Sequence, residues 1–282
     1  MQKTLTSAKS SKVSDDVHFF EGRELKLAYK YYNKALELQT IVLLYGFDGS
    51  IKMMDVFAPS FKEYSILVVD YPGHGYSPKR DESSSYDMQQ FSRELYNLLQ
   101  NLNENSIYLL AYSFGGHNAI QFYQDYHSSG IIKKIIFYNS LPKFEYNLYR
   151  KLFYLSFQIM ISLNFNYFVP HIAIPILTDF FFTRELLKTS QEVALINDTK
   201  SVINQFKTII KKDFSKEVRK IECPVMIIAS KKDILAPHKN VKKFAQSIPK
   251  AKFDLLKDAG HITLVSKPDT IADYLTDCFN KL

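Results

Sequence analysis

Short apolar runs alternate with amphipathic stretches along most of this chain. The runs are of strand length and rich in β-branched or aromatic residues, which predicts six buried strands, at residues 40–47, 65–70, 106–112, 133–139, 224–230 and 251–257. Between and after them, apolar residues recur at helical spacing, and this predicts helices at residues 88–99, 115–126 and 269–279. Such alternation is typical of a mainly parallel sheet with helices on both faces, so we predict an α/β fold.

The N-terminal part of the chain predicts a tail and one edge of the sheet. Residues 1–16 are polar and rich in lysine and serine, and they lack the apolar run of a secretory signal, so we expect a flexible tail. Residues 18–32 have the pattern of a hairpin that turns at Glu21 and Gly22. This hairpin would add an antiparallel edge to an otherwise parallel sheet.

One long segment, residues 141–216, interrupts the alternation because it has several helical patterns and no convincing strand. Its first half, 152–178, has no charged residue and is rich in phenylalanine, whereas its second half has the pattern of an amphipathic helix pair. We therefore predict a helical cap at 141–216. The cap would be inserted into an α/β core formed by residues 17–140 and 217–282, as part of one cooperative unit.

Charge and cysteine content narrow the range of partners. The 282-residue chain has a formal net charge of +7, largely from lysines after Lys207 that lie among apolar residues at helical spacing. We interpret these lysines as solvated helix faces and expect no nucleic-acid partner, because no nucleic-acid motif accompanies them. Peripheral contact of the apolar cap with a membrane stays open as an alternative. Cys223 and Cys278 match no metal spacing, so we expect no metal and a reducing, cytoplasmic location.

The strongest chemical signal lies where one predicted buried strand runs directly into a helix. Residues 111–116 (AYSFGG) combine a strand end, a sharp turn and a helix start. A nucleophile in such a turn needs small residues two positions before and two after it, which Ala111 and Gly115 provide. We therefore predict that Ser113 is the nucleophile. The Phe114 N–H, at the helix N-terminus, would be one hydrogen-bond donor to an oxyanion.

A second oxyanion donor is expected from the loop after the first buried strand. This loop contains Gly46 and Gly49, whose backbone freedom lets an N–H turn toward the space above Ser113. We predict that the Phe47 N–H is this donor. A glycine-rich turn with no catalytic duty is the alternative.

A nucleophilic serine needs a base, and the base needs an acid that orients it. His261 follows the last predicted strand, at the carboxyl end where open parallel sheets bind their ligands. Asp233 follows another strand end, whereas the strand before the insertion ends in Asn139 and Ser140 and offers no carboxylate. We therefore predict His261 as general base and Asp233 as orienting acid, in the chain order serine, aspartate, histidine.

Together these motifs resemble the α/β-hydrolase superfamily over nearly the whole chain. They are the glycine loop after the first buried strand, a turn at residues 70–78 to which we assign a structural role, the Ser113 turn, the Asp233 loop and the Gly260-His261 pair. The resemblance implies a capped serine hydrolase with a Ser-His-Asp triad and no cofactor, similar to carboxylesterases and monoacylglycerol lipases. One departure is Tyr45, where relatives usually have a histidine before the glycine.

The expected activity is hydrolysis of small-molecule carboxylic esters with apolar, medium-length acyl groups, through an acyl-enzyme. The residues expected to line the substrate pocket are Tyr45, Tyr112, Phe153, Phe157 and Leu235. Packing on the core would explain the phenylalanines of the cap equally well. Two other functions stay open: a carbon–carbon bond hydrolase that uses the same triad, and a ligand sensor on the same fold that does not hydrolyse its ligand.

Overall fold

An eight-stranded sheet organises the part of the chain that the structure describes. The computed structural model describes residues 16–79, 86–144 and 183–282. In chain order the strands are β1 (His18–Glu21), β2 (Lys26–Tyr32), β3 (Thr40–Leu44), β4 (Ser65–Val69), β5 (Ile107–Tyr112), β6 (Ile132–Tyr138), β7 (Val225–Ser230) and β8 (Lys252–Leu256). Their order across the sheet is β1-β2-β4-β3-β5-β6-β7-β8. The predicted α/β architecture is confirmed.

Most neighbouring strands run parallel. The pairs from β4 through β3, β5, β6 and β7 to β8 are all parallel. β1 and β2 form the predicted hairpin, and β2 pairs antiparallel with β4, so the antiparallel edge is confirmed. Every residue of β3, β4 and β7 is buried. Strands that are covered on both faces need apolar residues at every position, which is why these runs are continuous in the sequence and do not alternate.

Helices cover the sheet. In the described ranges they are α1 (Ile51–Met54), α2 (Met88–Asn101), α3 (Gly115–Tyr126), α4 (Arg184–Ile196), α5 (Thr199–Lys211), α6 (His238–Ser247), α7 (Thr263–Ser266) and α8 (Pro268–Lys281). Sequence signals set their starts. Asp87 caps α2 by accepting hydrogen bonds from the backbone N–H groups of Gln89 and Gln90, and Thr183 and Asp198 cap α4 and α5 in the same way.

The first buried strand is shorter than predicted. We expected residues 40–47, but β3 ends at Leu44 because the chain then leaves the sheet through a turn. In this turn the Gly49 N–H donates to the Gly46 carbonyl (3.3 Å), and Asp48 has a left-handed backbone with φ +55°. The apolar residues that follow Leu44 therefore belong to this loop and do not continue the strand.

The predicted cap is described only in part. Its second half forms the expected helix pair, α4 and α5, and the one β-type contact found in its described residues is an isolated bridge between Lys143 and Asp213. Most of its first half, including the uncharged stretch at 152–178, lies outside the described residues, as does the predicted tail up to residue 15. The domain boundaries therefore stay a prediction. Within the described ranges, no helix combines the length and apolar character needed to cross a bilayer.

Candidate active site

Ser113 occupies a strained turn between β5 and α3. Its backbone φ is +52°, a left-handed conformation that residues with a Cβ adopt rarely and keep only where the surroundings enforce it. The Ser113 N–H donates to the Tyr138 carbonyl (3.0 Å), which anchors the turn to β6. Gly115 is required because a Cβ there would lie 1.9 Å from the Leu44 carbonyl oxygen. The helix can thus approach β3 closely, and the turn lifts the Ser113 hydroxyl above the sheet.

The structure brings together the three side chains predicted as a triad. His261 Nε2 lies 3.0 Å from Ser113 Oγ, and His261 Nδ1 lies 2.7 Å from Asp233 Oδ2. The three residues come from the carboxyl ends of β5, β7 and β8, which meet at one edge of the parallel sheet. With Nδ1–H donating to the carboxylate, Nε2 is left to accept the serine proton.

The Asp233 carboxylate is held in a fixed orientation. Its second oxygen, Oδ1, accepts hydrogen bonds from the N–H groups of Leu235 and Ala236, both at 2.8 Å. Asp233 and His261 are both buried, so water does not compete for these contacts. A buried carboxylate with three donors stabilises the positive charge that a histidine acquires when it takes a proton.

The two predicted oxyanion donors belong to segments that contact or directly follow Ser113. Phe114 precedes the first residue of α3, and its N–H has no acceptor among the residues that the structure describes. Gly46 packs against the serine, because a Cβ at this position would lie 3.2 Å from Ser113 Cβ and 3.2 Å from the Tyr112 ring. Phe47 follows directly, so its backbone enters the region next to the nucleophile. The donor role of both N–H groups stays a prediction.

The residues expected to line the pocket have different surroundings. The Tyr45 side chain is fully buried, with its hydroxyl between Asp70 Oδ1 (3.1 Å) and the Tyr71 N–H (2.9 Å), so it belongs to the core and not to an accessible pocket wall. The structure does not support a pocket position for Tyr45, because its hydroxyl turns inward to hydrogen-bond Asp70. Leu235 is half-buried beside Asp233. Phe153 and Phe157 lie outside the described residues.

Tyr112 lies beside the histidine loop, and its place in a substrate pocket stays a prediction. It is buried, and its hydroxyl donates to the His261 carbonyl oxygen (3.1 Å). Its ring centroid lies 5.6 Å from that of the His261 imidazole. The side chain therefore contacts the histidine loop.

Asn139 is a site residue that the sequence reasoning missed. We set aside the end of β6 because it offers no carboxylate, yet the Asn139 side chain is buried and contacts Gly260, His261 and Ser230. Its backbone is left-handed, with φ +49°. A buried polar residue at a strand end beside the predicted nucleophile was the available signal.

The turn at residues 70–78 makes the contacts of a structural element. Asp70 accepts from the N–H groups of Ile51 (2.6 Å) and Tyr76 (2.8 Å), and the Ser77 hydroxyl accepts from the Ala28 N–H (2.8 Å). Burial raises the pKa of Asp70 to about 7 despite these donors. Through Ile51 and Tyr45, Asp70 ties this turn to the loop that carries Phe47.

The reactive groups that the site brings together are a serine hydroxyl, an imidazole and a carboxylate. The described ranges contain no cluster of three or more histidine, cysteine, aspartate or glutamate side chains that could hold a metal ion. Proton transfer and nucleophilic attack are the chemistry that these three groups can perform.

Comparison with known proteins agrees with this geometry. Residues 39–268 match the family described as alpha/beta hydrolase fold, and the chain belongs to this family. A proline iminopeptidase of Lactobacillus crispatus is 23% identical over 293 residues, which cover 90% of this chain and 96% of the relative. Family membership and hydrolase relatives of this kind support a hydrolase.

Solved structures share the fold. A bromoperoxidase from Bacillus anthracis is similar with a TM-score of 0.79 and 18% identity, covering 89% of this chain and 94% of that one. An esterase from Thermogutta terrifontis is similar with a TM-score of 0.76 and 17% identity, covering 94% and 98%. At these identities the likeness concerns the architecture and not the substrate.

Proposed function

We propose that this chain is a carboxylic-ester hydrolase that works through an acyl-enzyme on Ser113. The observation that carries the proposal is the line of hydrogen bonds from Ser113 Oγ through His261 to the buried Asp233, with heavy-atom distances of 3.0 and 2.7 Å. A serine hydroxyl is a poor nucleophile alone, and an adjacent, oriented imidazole is what activates it.

The proposed reaction has two halves. In the first, His261 Nε2 takes the proton from Ser113 Oγ while the oxygen forms a bond to the ester carbonyl carbon. The resulting oxyanion is held by the N–H groups of Phe47 and Phe114. The imidazolium then passes the proton to the alcohol oxygen as the ester C–O bond breaks, which leaves an acyl group on Ser113.

In the second half, water replaces the alcohol. His261 takes a proton from water, the hydroxide oxygen attacks the acyl carbon, and the proton returns to Ser113 as the acid leaves. Asp233 keeps the imidazole in one orientation throughout.

We propose apolar acyl groups of medium length as the substrate class. Support comes from the aromatic rings near the predicted oxyanion loop: the Phe206 ring lies 5.8 Å from that of Phe47 and 6.4 Å from that of Phe144. Where such rings line a pocket, they favour an alkyl or aryl group over a charged one. The uncharged stretch of the predicted cap supports the same substrate class.

Labelling with a fluorophosphonate tests the nucleophile. We expect the wild-type protein to be labelled and Ser113→Ala to be unlabelled, with ester turnover at least about 10³-fold lower, because the covalent step is lost. Ser128→Ala is the matched control, since Ser128 is exposed and distant in sequence from the site. Labelling that survives Ser113→Ala would overturn the assignment.

A series of p-nitrophenyl esters from acetate to laurate tests the acyl preference. We expect kcat/KM to be highest for chains of intermediate length, because each buried methylene contributes about 0.8 kcal/mol until the pocket is filled. A preference for acetate or for charged acyl groups would contradict the apolar pocket. Faster cleavage of a prolyl amide or of a dienone acid than of any ester would assign a different scissile bond to the same triad.

A further inference from the structure

The loop that carries His261 is held by two side chains outside the triad. The Tyr112 hydroxyl donates to the His261 carbonyl oxygen at 3.1 Å. The Asn139 side-chain amide donates to the same oxygen at 3.1 Å and to the Gly260 carbonyl oxygen at 3.3 Å. We call these two donors, Tyr112 Oη and Asn139 Nδ2, the carbonyl clamp.

The orientation of the Asn139 amide follows from its neighbours. The atom assigned as Oδ1 faces the Ser230 N–H at 2.8 Å and must accept a hydrogen bond. The atom assigned as Nδ2 faces two carbonyl oxygens and the Ser230 hydroxyl, so it must donate. Asn139 also bonds through its backbone N–H to the Ile228 carbonyl (2.9 Å), which fastens it to β7.

The carbonyl clamp links the His261 backbone to the segments that carry Ser113 and Asp233. Tyr112 is the residue before Ser113, so its hydroxyl ties the histidine backbone to the strand that presents the nucleophile. Asn139 is bound to Ile228 and Ser230 of β7, and Asp233 follows the end of that strand. Both distances of the triad therefore depend on where the clamp holds the His261 backbone.

The other hydrogen bonds of this loop do not hold the His261 backbone directly. Gly260 exchanges hydrogen bonds with the Thr263 hydroxyl, at 2.7 and 3.0 Å, and the Lys232 N–H donates to the Ala259 carbonyl at 3.0 Å. The first pair is internal to the loop, and the second contact fixes only the residue two positions before His261. A displacement of about 1 Å at a reacting group is enough to cost about a hundredfold in rate.

We infer that Tyr112 and Asn139 are positioning residues. By holding the carbonyl groups of Gly260 and His261, they fix the position of the His261 imidazole between Ser113 and Asp233. The inference rests on the proposed function, since it concerns the base of that reaction. The two donors partly substitute for each other because they share one acceptor, and losing both costs more than the product of the single losses.

Tyr112→Phe tests the clamp with the smallest perturbation, because the ring stays and only the hydroxyl is lost. We expect kcat and the rate of fluorophosphonate inactivation to fall about fivefold while KM changes less than about twofold, since the hydroxyl contacts the histidine backbone and not the substrate. Tyr123→Phe is the matched control. Tyr123 is buried near the end of α3, and its hydroxyl accepts a hydrogen bond from the Glu222 N–H (3.0 Å), which is remote from the clamp in the sequence.

Asn139→Asp, alone and combined with Tyr112→Phe, completes a double-mutant cycle. The substitution keeps an acceptor for the Ser230 N–H and tolerates the left-handed backbone, yet it removes the two hydrogen bonds donated to the Gly260 and His261 carbonyls and sets a carboxylate against those oxygens. We expect a loss of about tenfold or more in kcat and in inactivation rate, with a further loss beyond the product of the singles when it is combined with Tyr112→Phe. If Asn139→Asp does not fold, the comparison of Tyr112→Phe with Tyr123→Phe decides alone.

The outcomes separate the clamp from the proposed function. A wild-type protein that neither reacts with the fluorophosphonate nor turns over esters contradicts the proposed function, whatever the variants do. A wild-type protein that does both, while Tyr112→Phe and Tyr123→Phe react equally fast, overturns the clamp alone. Thermal unfolding of each variant is measured in parallel, and a lowered melting temperature with unchanged inactivation rate also counts against the clamp, because a purely structural role predicts that result.

Discussion

The loop that carries His261 and the loop predicted to supply an oxyanion donor are held in place by different parts of the protein. We call them the histidine side and the oxyanion side. On the histidine side, the contacts of His261 and Asp233 come from the sheet and from the loops that follow β7 and β8. On the oxyanion side, the loop after β3 is held in part by the junction of α4 and α5. Asn197, between these helices, donates from its side chain to Asp48 Oδ1 (2.8 Å) and to the Asp48 carbonyl (3.1 Å).

The same junction also holds the turn after β4. Asn197 Oδ1 accepts from the Gly75 N–H (2.7 Å), and the Asp198 N–H donates to the Gly73 carbonyl (2.8 Å). Gly73 has no room for a side chain, because a Cβ there would lie 2.0 Å from Ser201 Oγ of α5. The side that carries His261 and Asp233 is therefore built into the sheet, whereas the predicted oxyanion side depends on α4 and α5.

The largest effect is expected from Asp233→Asn, which breaks the histidine side only. The amide keeps the shape of the carboxylate but favours the wrong imidazole tautomer, so kcat for a p-nitrophenyl ester should fall by about 10³–10⁴-fold. Near-wild-type turnover by a folded Asp233→Asn protein would show that the acid lies elsewhere. Asp258→Asn is the control, because Asp258 is exposed on the loop before His261.

A smaller effect is expected from Asn197→Ala, which loosens the oxyanion side only. The loss of these buried hydrogen bonds should lower the free energy of unfolding by about 1–3 kcal/mol. It should also lower kcat by about tenfold, because the loop that carries Phe47 loses a support. Kinetics and urea unfolding measure the two effects.

The exposed Lys207 of α5 provides the control, as Lys207→Ala. Unchanged kcat would mean that the oxyanion side is as independent of α4 and α5 as the histidine side.

The smallest effect concerns pH. Burial raises the pKa of Asp48 from its ordinary value to about 6, with Asn197 opposing the shift through its hydrogen bond. The folded state thus favours the protonated form of Asp48. The stability that this protonated form contributes is complete below the ordinary pKa of the carboxyl and is lost as pH rises through about 6.

Asp48→Asn supplies a neutral side chain of the same shape, which also tolerates the left-handed backbone. Because Asp48 is partly exposed, we expect a modest gain for the variant, about 1 kcal/mol at about pH 8, that disappears at about pH 4. Urea unfolding at both pH values measures it. Equal stability of the variant and wild type at the higher pH would contradict the assigned burial cost.

Sequence reasoning was most successful where the chemistry is local. The turn around Ser113 could be predicted because its small neighbours, the preceding strand and the following helix all lie within a few residues. His261 and Asp233 could be selected because the carboxyl ends of parallel strands meet at one edge. Their catalytic roles remain predictions, although the structure brings the three side chains together.

Contacts between distant segments were not predictable in this way. Tyr45 was expected in the pocket, yet its hydroxyl bonds Asp70, 25 positions along the chain. Asn139 was visible in the sequence only as a polar residue at a strand end, and its contacts with Gly260 and His261, more than a hundred positions away, became known only from the fold. A side-chain direction depends on which partners the fold places around it, and no local pattern contains that information.

The sequence by itself determined the alternation of strands and helices, the strained turn at Ser113 and the order of the candidate residues, because periodicity, turn geometry and parallel pairing act over short stretches or follow from chain order. Only the tertiary structure decided how the histidine loop and the oxyanion loop are held. Those contacts join side chains to the backbone of remote segments, and their strength depends on burial and on distances that exist only once the sheet and helices have packed.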